Sequence, residues 1–206
     1  MRLYNKLRLT LLVLPLLLFS SEALGDTLTV TSGQVTFQSS TSLVNFSFNG
    51  TTTSGSSVQL QGTTSSASSV SPIRGTFRVG TSVNLTSLLF SDTGFGTATI
   101  DGVTTNRVIF GGTTSFNAGS VFLPLTPDTS TITLTAPFTY SGIIAGVEGP
   151  NQDVPPLFSY TMIGNGTVTA TFFYVFSPNG PGSYSVVGLQ YNTTAPVPEP
   201  TTMLLL

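Results

Sequence analysis

Between residues 27 and 192, apolar and polar side chains alternate in short runs broken by Gly, Ser, Asn and Pro. Thr27-Leu28-Thr29-Val30-Thr31 and Thr131-Ile132-Thr133-Leu134-Thr135 have the period of two that marks a strand with one face in water. Val35-Thr36-Phe37 and Val44-Asn45-Phe46-Ser47-Phe48 repeat it more briefly. The runs are rich in Val, Ile, Thr, Phe and Tyr, whose branched or flat side chains suit a pleated surface, and none has helical periodicity. Asp101-Gly102, between Ala98-Thr99-Ile100 and Val103, predicts a tight hairpin, because both residues tolerate positive φ. Asn165-Gly166 predicts a second hairpin, joining 158–163 to 168–173. Phe172-Phe173-Tyr174-Val175-Phe176 reads as a strand buried on both faces. Residues 51–71 offer only Val58-Gln59-Leu60 as a strand and otherwise read as a flexible segment or exposed edge; the proline-rich stretch 148–156 reads as a loop.

Roughly ten to twelve strands with no helices between them predict an all-β fold, an antiparallel β-sandwich or jelly-roll-like arrangement. A parallel β-solenoid is the competing architecture. It requires a fixed repeat of about 20 residues or more, and inspection finds none.

The first twenty-five residues stand apart from this pattern. Arg2, Lys6 and Arg8 precede an apolar run from Leu9 to Phe19, and small residues follow up to Gly25, the three-part form of a secretory signal. Ala23 and Gly25 occupy the −3 and −1 positions for cleavage before Asp26, and Ser21 with Ala23 offers a cut before Leu24. Residues 1–25 are therefore read as a signal peptide, 26–192 as one β-sandwich domain, and 193–206 as a linker and sorting segment. About 180 residues beyond the signal are enough for one domain with a sizeable core.

Charge and residue types narrow the chemistry. Beyond the signal there are three arginines, Arg74, Arg78 and Arg107, no lysine and seven acids, leaving a formal charge of −4. Nucleic-acid binding draws on clustered cations that displace counterions from phosphates, so this composition argues against DNA or RNA as partner. Cysteine and histidine are both absent. That removes disulfides, a thiolate nucleophile, a His general base and a zinc site of the usual nitrogen and sulfur type. Hydrolysis by a carboxylate pair stays open; it would need two of Asp92, Asp101, Asp128, Glu148 and Asp153 within about 10 Å in a cleft.

At the other end, Pro198-Glu199-Pro200 stands between a Thr- and Pro-containing spacer and the apolar start Met203-Leu204-Leu205-Leu206. This resembles the PEP-CTERM sorting signal of bacterial surface and exopolysaccharide-associated proteins, in which the tripeptide precedes a membrane-spanning helix and a short Arg-rich tail. A spanning helix needs about 20 apolar residues. The segment after Pro200 is truncated relative to that pattern, so the chain reads as a fragment or as an anchorless secreted protein. The resemblance covers the last eleven residues. It implies export from a Gram-negative-type cell, processing by the membrane protease exosortase near Pro198-Glu199-Pro200, and a connection with exopolysaccharide or biofilm matrix. A full-length tail would add transient or C-terminal membrane association.

Within the β region, Glu148, Asn151 and Asp153 share a loop that can offer oxygen ligands to calcium, although their spacing matches no calcium-loop motif and a solvated loop is the simpler account. Asp92-Thr93-Gly94-Phe95-Gly96 and Asp101-Gly102 could supply further oxygen ligands but read first as turn formers. Flat rings stack on the apolar faces of sugars, which directs attention to Tyr140, Tyr160, Tyr174, Tyr184 and Tyr191. With fifteen Phe, six Tyr and no Trp, core filling is the plainer use of the aromatics. Arg74 and Arg78 are four apart and share one face if 73–79 is a strand, a geometry suited to an anionic sugar or to guarding a sheet edge. The five Asn-X-Ser/Thr sequons, at Asn45, Asn49, Asn84, Asn165 and Asn192, are what a Ser/Thr-rich chain produces by chance.

The expectation is an exported, non-enzymatic surface or matrix protein with no catalytic residue. A lectin-like carbohydrate-binding module, with or without calcium, is the alternative, and a carboxylate-pair hydrolase the remote one.

Overall fold

A computed structural model describes residues 25–38, 43–65, 75–89, 94–126, 129–149 and 155–195, which carry thirteen strands and no helix. The first half holds β1 (Asp26–Gln38), β2 (Leu43–Thr52), β3 (Ser57–Ser65), β4 (Thr76–Arg78), β5 (Ser82–Asn84), β6 (Ser87–Leu89) and β7 (Gly94–Ile100). The second half holds β8 (Val103–Gly111), β9 (Thr114–Ala118), β10 (Ser120–Phe122), β11 (Thr131–Glu148), β12 (Phe158–Val175) and β13 (Ser183–Thr194). Eleven of them form one sheet, and β5 and β10 form a separate two-stranded ribbon.

The large sheet folds over and meets itself, which gives the all-β, mainly antiparallel sandwich that the alternation predicts. Antiparallel pairing runs from β1 through β2, β3, β7, β8 and β11 to β12. The circuit then closes through a short parallel contact in which Asp26, Thr27 and Leu28 face Tyr160, Thr161 and Met162. Further along, β13 wedges between β1 and β12 and pairs antiparallel with both. The antiparallel register between sequence neighbours excludes the solenoid.

Burial follows the period of two, with one correction built into β1. Leu28 and Val30 point inward at even positions, whereas Val35 and Phe37 point inward at odd ones. The switch is made by a β-bulge at Thr31: Val30 faces Gly50, Ser32 faces Asn49, and Thr31 is the extra residue. Since β2 buries even positions throughout, from Val44 to Thr52, the bulge keeps both halves of β1 on the core side. The interior is rich in rings: Phe46 and Phe110 meet edge to face at 5.0 Å, and Phe116 lies 5.1 Å from Tyr191. Each fully buried side chain of this size contributes about 1.5–3 kcal/mol, and with no cysteine in the chain, packing and backbone pairing carry the fold.

Asp101 and Gly102, at φ 50° and 80°, make the predicted turn, with Ile100 facing Val103 across it. Three other expectations are corrected. Asn165-Gly166 makes no hairpin: β12 runs unbroken through it, paired residue by residue with β11 on one side. The glycines serve close approach instead, for Phe138 faces Gly166 and Tyr140 faces Gly164 with their rings laid over the missing side chains. Phe172-Phe173-Tyr174-Val175-Phe176 is not buried on both faces, since Phe172 is inside while Phe173, Val175 and Phe176 are exposed. Residues 57–65, expected as loop or edge, form an interior strand whose Val58 and Leu60 are buried between β2 and β7. Their polar neighbours Gln59, Gln61 and Thr63 occupy the outer face, so half of the strand has the composition of a loop.

Candidate functional site

Many of the residues singled out from the sequence are not among those described. Ala23, Asp92, Asp128, Asn151, Asp153 and the Pro198-Glu199-Pro200 tripeptide lie outside the described residues. Gly25 is half-buried, directly ahead of β1. Glu148 closes β11, exposed to solvent, and the described residues contain no group of three His, Cys, Asp or Glu fit to hold a metal. Arg74 also lies outside them. Gly75 has φ 133° and β4 spans Thr76–Arg78, so the reading of Arg74 and Arg78 on one strand face falls in part outside the described residues. The tyrosine platform is overturned outright. Tyr140, Tyr160, Tyr184 and Tyr191 are buried, and Tyr174 is half-buried against the core.

Two of the described acids, Asp101 and Asp26, have structural partners. The Asp101 carboxylate accepts the Ser57 amide at 2.8 Å, tying the β7–β8 turn to the start of β3. Asp26 accepts from the Ser54 and Thr53 hydroxyls, the Ser54 amide and the Thr27 amide, and so fastens the β2–β3 turn to the head of β1. Hydrogen bonds from the Ser54 hydroxyl, and next from the Thr53 hydroxyl, hold this carboxyl well below the usual carboxylate range. Tyr160 lies close enough for Asp26 and Asp101 to reinforce burial in raising its phenol pKa.

The most site-like feature is on the outer face, where the sequence showed only the wet side of each strand. A groove of about 520 Å³ crosses β1, β2, β3 and β7 and is lined by uncharged residues alone. Two cross-strand rows make its floor. Register aligns Thr36, Asn45, Thr63 and Phe95 in one, and Gln34, Ser47, Gln61 and Thr97 in the other. The bulge at Thr31 places Gln34 and Thr36 here, because it turns the even positions of β1 outward just where those of β2 turn inward.

Hydrogen bonds along the floor order part of it and leave the rest open. The Thr63 hydroxyl donates to Asn45 Oδ1 at 2.9 Å and the Thr36 hydroxyl to Gln34 Oε1 at 3.3 Å. Gln34 Nε2 and Gln190 Nε2 both donate to Asn192 Oδ1, at 3.2 and 2.9 Å, which extends the amide array onto β13. The Gln61 amide is exposed and has no partner among the described residues. Phe95 closes the other end with 61% of its surface in water, one of several large apolar side chains exposed among the described residues. Such a surface offers neutral donors and acceptors beside one flat apolar ring and has no charge to attract an ion.

Thr36 and Asn45 sit at the outward positions of strands read from the sequence, whereas Gln61 falls in the stretch read as loop or edge and Phe95 beside a turn reading; their adjacency depends on register across four strands and on one bulge. No protein-family model matches the chain, and no curated protein or solved structure matches it.

Proposed function

We propose that this protein is an exported, non-enzymatic component of a bacterial cell surface or extracellular matrix, of the PEP-CTERM type, and that it works by holding neutral glycan in the outer groove. The supporting observation is the groove itself, with amides and hydroxyls on its floor, Phe95 exposed at its end and no charged residue in its lining. Sugar hydroxyls pair with neutral amides without the desolvation cost of a buried charge, and a flat ring stacks on the apolar face of a pyranose. The sorting segment around Pro198-Glu199-Pro200 and the leader at residues 1–25 support export, with exosortase as processing partner and exopolysaccharide as the matrix polymer.

The test is affinity electrophoresis of the purified full chain in gels holding a neutral glucan or an acidic polysaccharide, with calcium and with chelator. Retardation by the neutral polymer in both conditions, weakened in Phe95→Ala and Gln61→Ala proteins of unchanged melting temperature, is the expected result. Retardation that disappears in chelator would move the site to the Glu148 loop. No retardation by either polymer would leave a structural matrix role without a sugar ligand.

A further inference from the structure

Resting on that reading, we infer that the ligand is an extended, uncharged polysaccharide chain lying across the strands and gripped along its middle rather than at its end. The rows that floor the groove do not stop at its rim. Register carries the first from Phe95, Thr63, Asn45 and Thr36 onto Gln190, and the second from Thr97, Gln61, Ser47 and Gln34 onto Asn192. Five strands thus present two parallel lines of uncharged side chains, and register carries both lines further, onto Ile109 and Asn106 of β8 at one end and onto Thr169 and Thr167 of β12 at the other.

Spacing favours this direction. Neighbouring strands are about 4.8 Å apart, whereas outward side chains along one strand recur at about 6.7 Å. An extended pyranose chain advances per sugar by close to one strand spacing, so a chain laid across the strands meets an equivalent pair of groups at every sugar. Along a strand the two repeats fall out of step. Phe95 then stacks under one sugar at the β7 end, and the linked amides of Gln34, Asn192 and Gln190 serve sugars at the β13 end.

The experiment is titration calorimetry of the full chain with gluco-oligosaccharides graded in length from the disaccharide upward, together with the parent glucan. Affinity should climb with each added sugar and level off once the five strands are spanned, and reducing-end derivatisation should leave it unchanged. Phe95→Ala should weaken every oligosaccharide that reaches β7 by about tenfold, while Gln190→Ala should weaken only the longer ones. Binding that is independent of length, indifferent to Gln190→Ala or abolished by blocking the reducing end would overturn the cross-strand, mid-chain grip while leaving glycan binding in place. Failure of the oligosaccharides and the glucan alike would instead remove the glycan reading on which this inference rests.

Discussion

Tyr140 and Gly164 face each other in register across β11 and β12, and the Tyr140 phenol fills the space in which a side chain at Gly164 would begin. A Cβ there would stand 2.4 Å from the hydroxyl oxygen and 2.6 Å from the ring carbon bearing it. Gly164→Ala is therefore expected to cost about 1–3 kcal/mol by overpacking. Much of that cost should vanish when Tyr140 is already Leu. Chemical denaturation of both singles and the double gives the coupling, and strictly additive effects would mean that the ring is not what the glycine accommodates.

Two buried tyrosines differ in what their hydroxyls do. Tyr191 donates to the Leu85 carbonyl at 2.6 Å, whereas the Tyr140 hydroxyl is buried with no partner among the described residues. Tyr191→Phe should cost about 1 kcal/mol, and Tyr140→Phe should be neutral or slightly stabilising. Equal losses in the two variants would sink the distinction.

The same burial sets an alkaline limit. Desolvation pushes both phenols up from 10.0 to about 12, opposed in Tyr191 by a hydrogen bond with Ser87. Folding therefore favours the neutral phenols. Their contribution is complete below pH 10 and is lost as pH rises toward 12. Phenolate absorbance should lag behind that of the unfolded chain and then rise together with loss of the β signal in circular dichroism. The Tyr140→Phe/Tyr191→Phe double variant should show a smaller alkaline loss of stability than the parent.

Arg107 is the extra residue of a bulge in β8 and has φ 62°, a conformation that costs an L side chain about 1–2 kcal/mol. Its exposed guanidinium has no salt bridge among the described residues, so Arg107→Gly should raise the melting temperature. Asp101 shares the positive φ but accepts the Ser57 amide, so Asp101→Ala should lower it. Differential scanning fluorimetry separates the two signs.

Asp26 supplies the acid limb. Because its carboxyl is held below the ordinary 3.8, the charged form is favoured by folding. Its contribution is complete above that value and is lost as pH falls below it. Melting temperature should drop below about pH 4, and Asp26→Asn should flatten that drop while lowering stability at neutral pH. An identical acid profile in the variant would show that other carboxylates are responsible.

Deleting Thr31, an exposed residue in a strand, should be far worse than substituting it. Without the extra residue the two halves of β1 share one parity, and either Leu28 and Val30 or Val35 and Phe37 must turn to solvent. Thr31→Ala should fold and lose little beyond the hydroxyl bond to the Asn49 carbonyl. The deletion should give no cooperative unfolding transition, and a native-like melt would refute the register argument.

Alternation along the chain was sufficient for the fold class, because the period of two is a property of each strand alone. It placed Leu28, Val30, Phe46 and Phe48 in the core and located the Asp101-Gly102 turn correctly, since a two-residue turn needs nothing beyond its own φ angles. Asn165-Gly166 has the same local chemistry but makes no turn, because there the rings of Phe138 and Tyr140, far away in sequence, claim the space over the glycines and β12 runs on through them. The groove was out of reach for a related reason. Thr36 and Asn45 are legible as outward positions, Gln61 and Phe95 fall in stretches that read as loop and turn, and which side chains stand side by side depends on the pairing of four strands and on the bulge at Thr31. Sequence by itself determined which side of the clearly alternating strands is dry; only the tertiary structure, through long-range register and the packing of rings over glycines, decided which wet side chains share a surface.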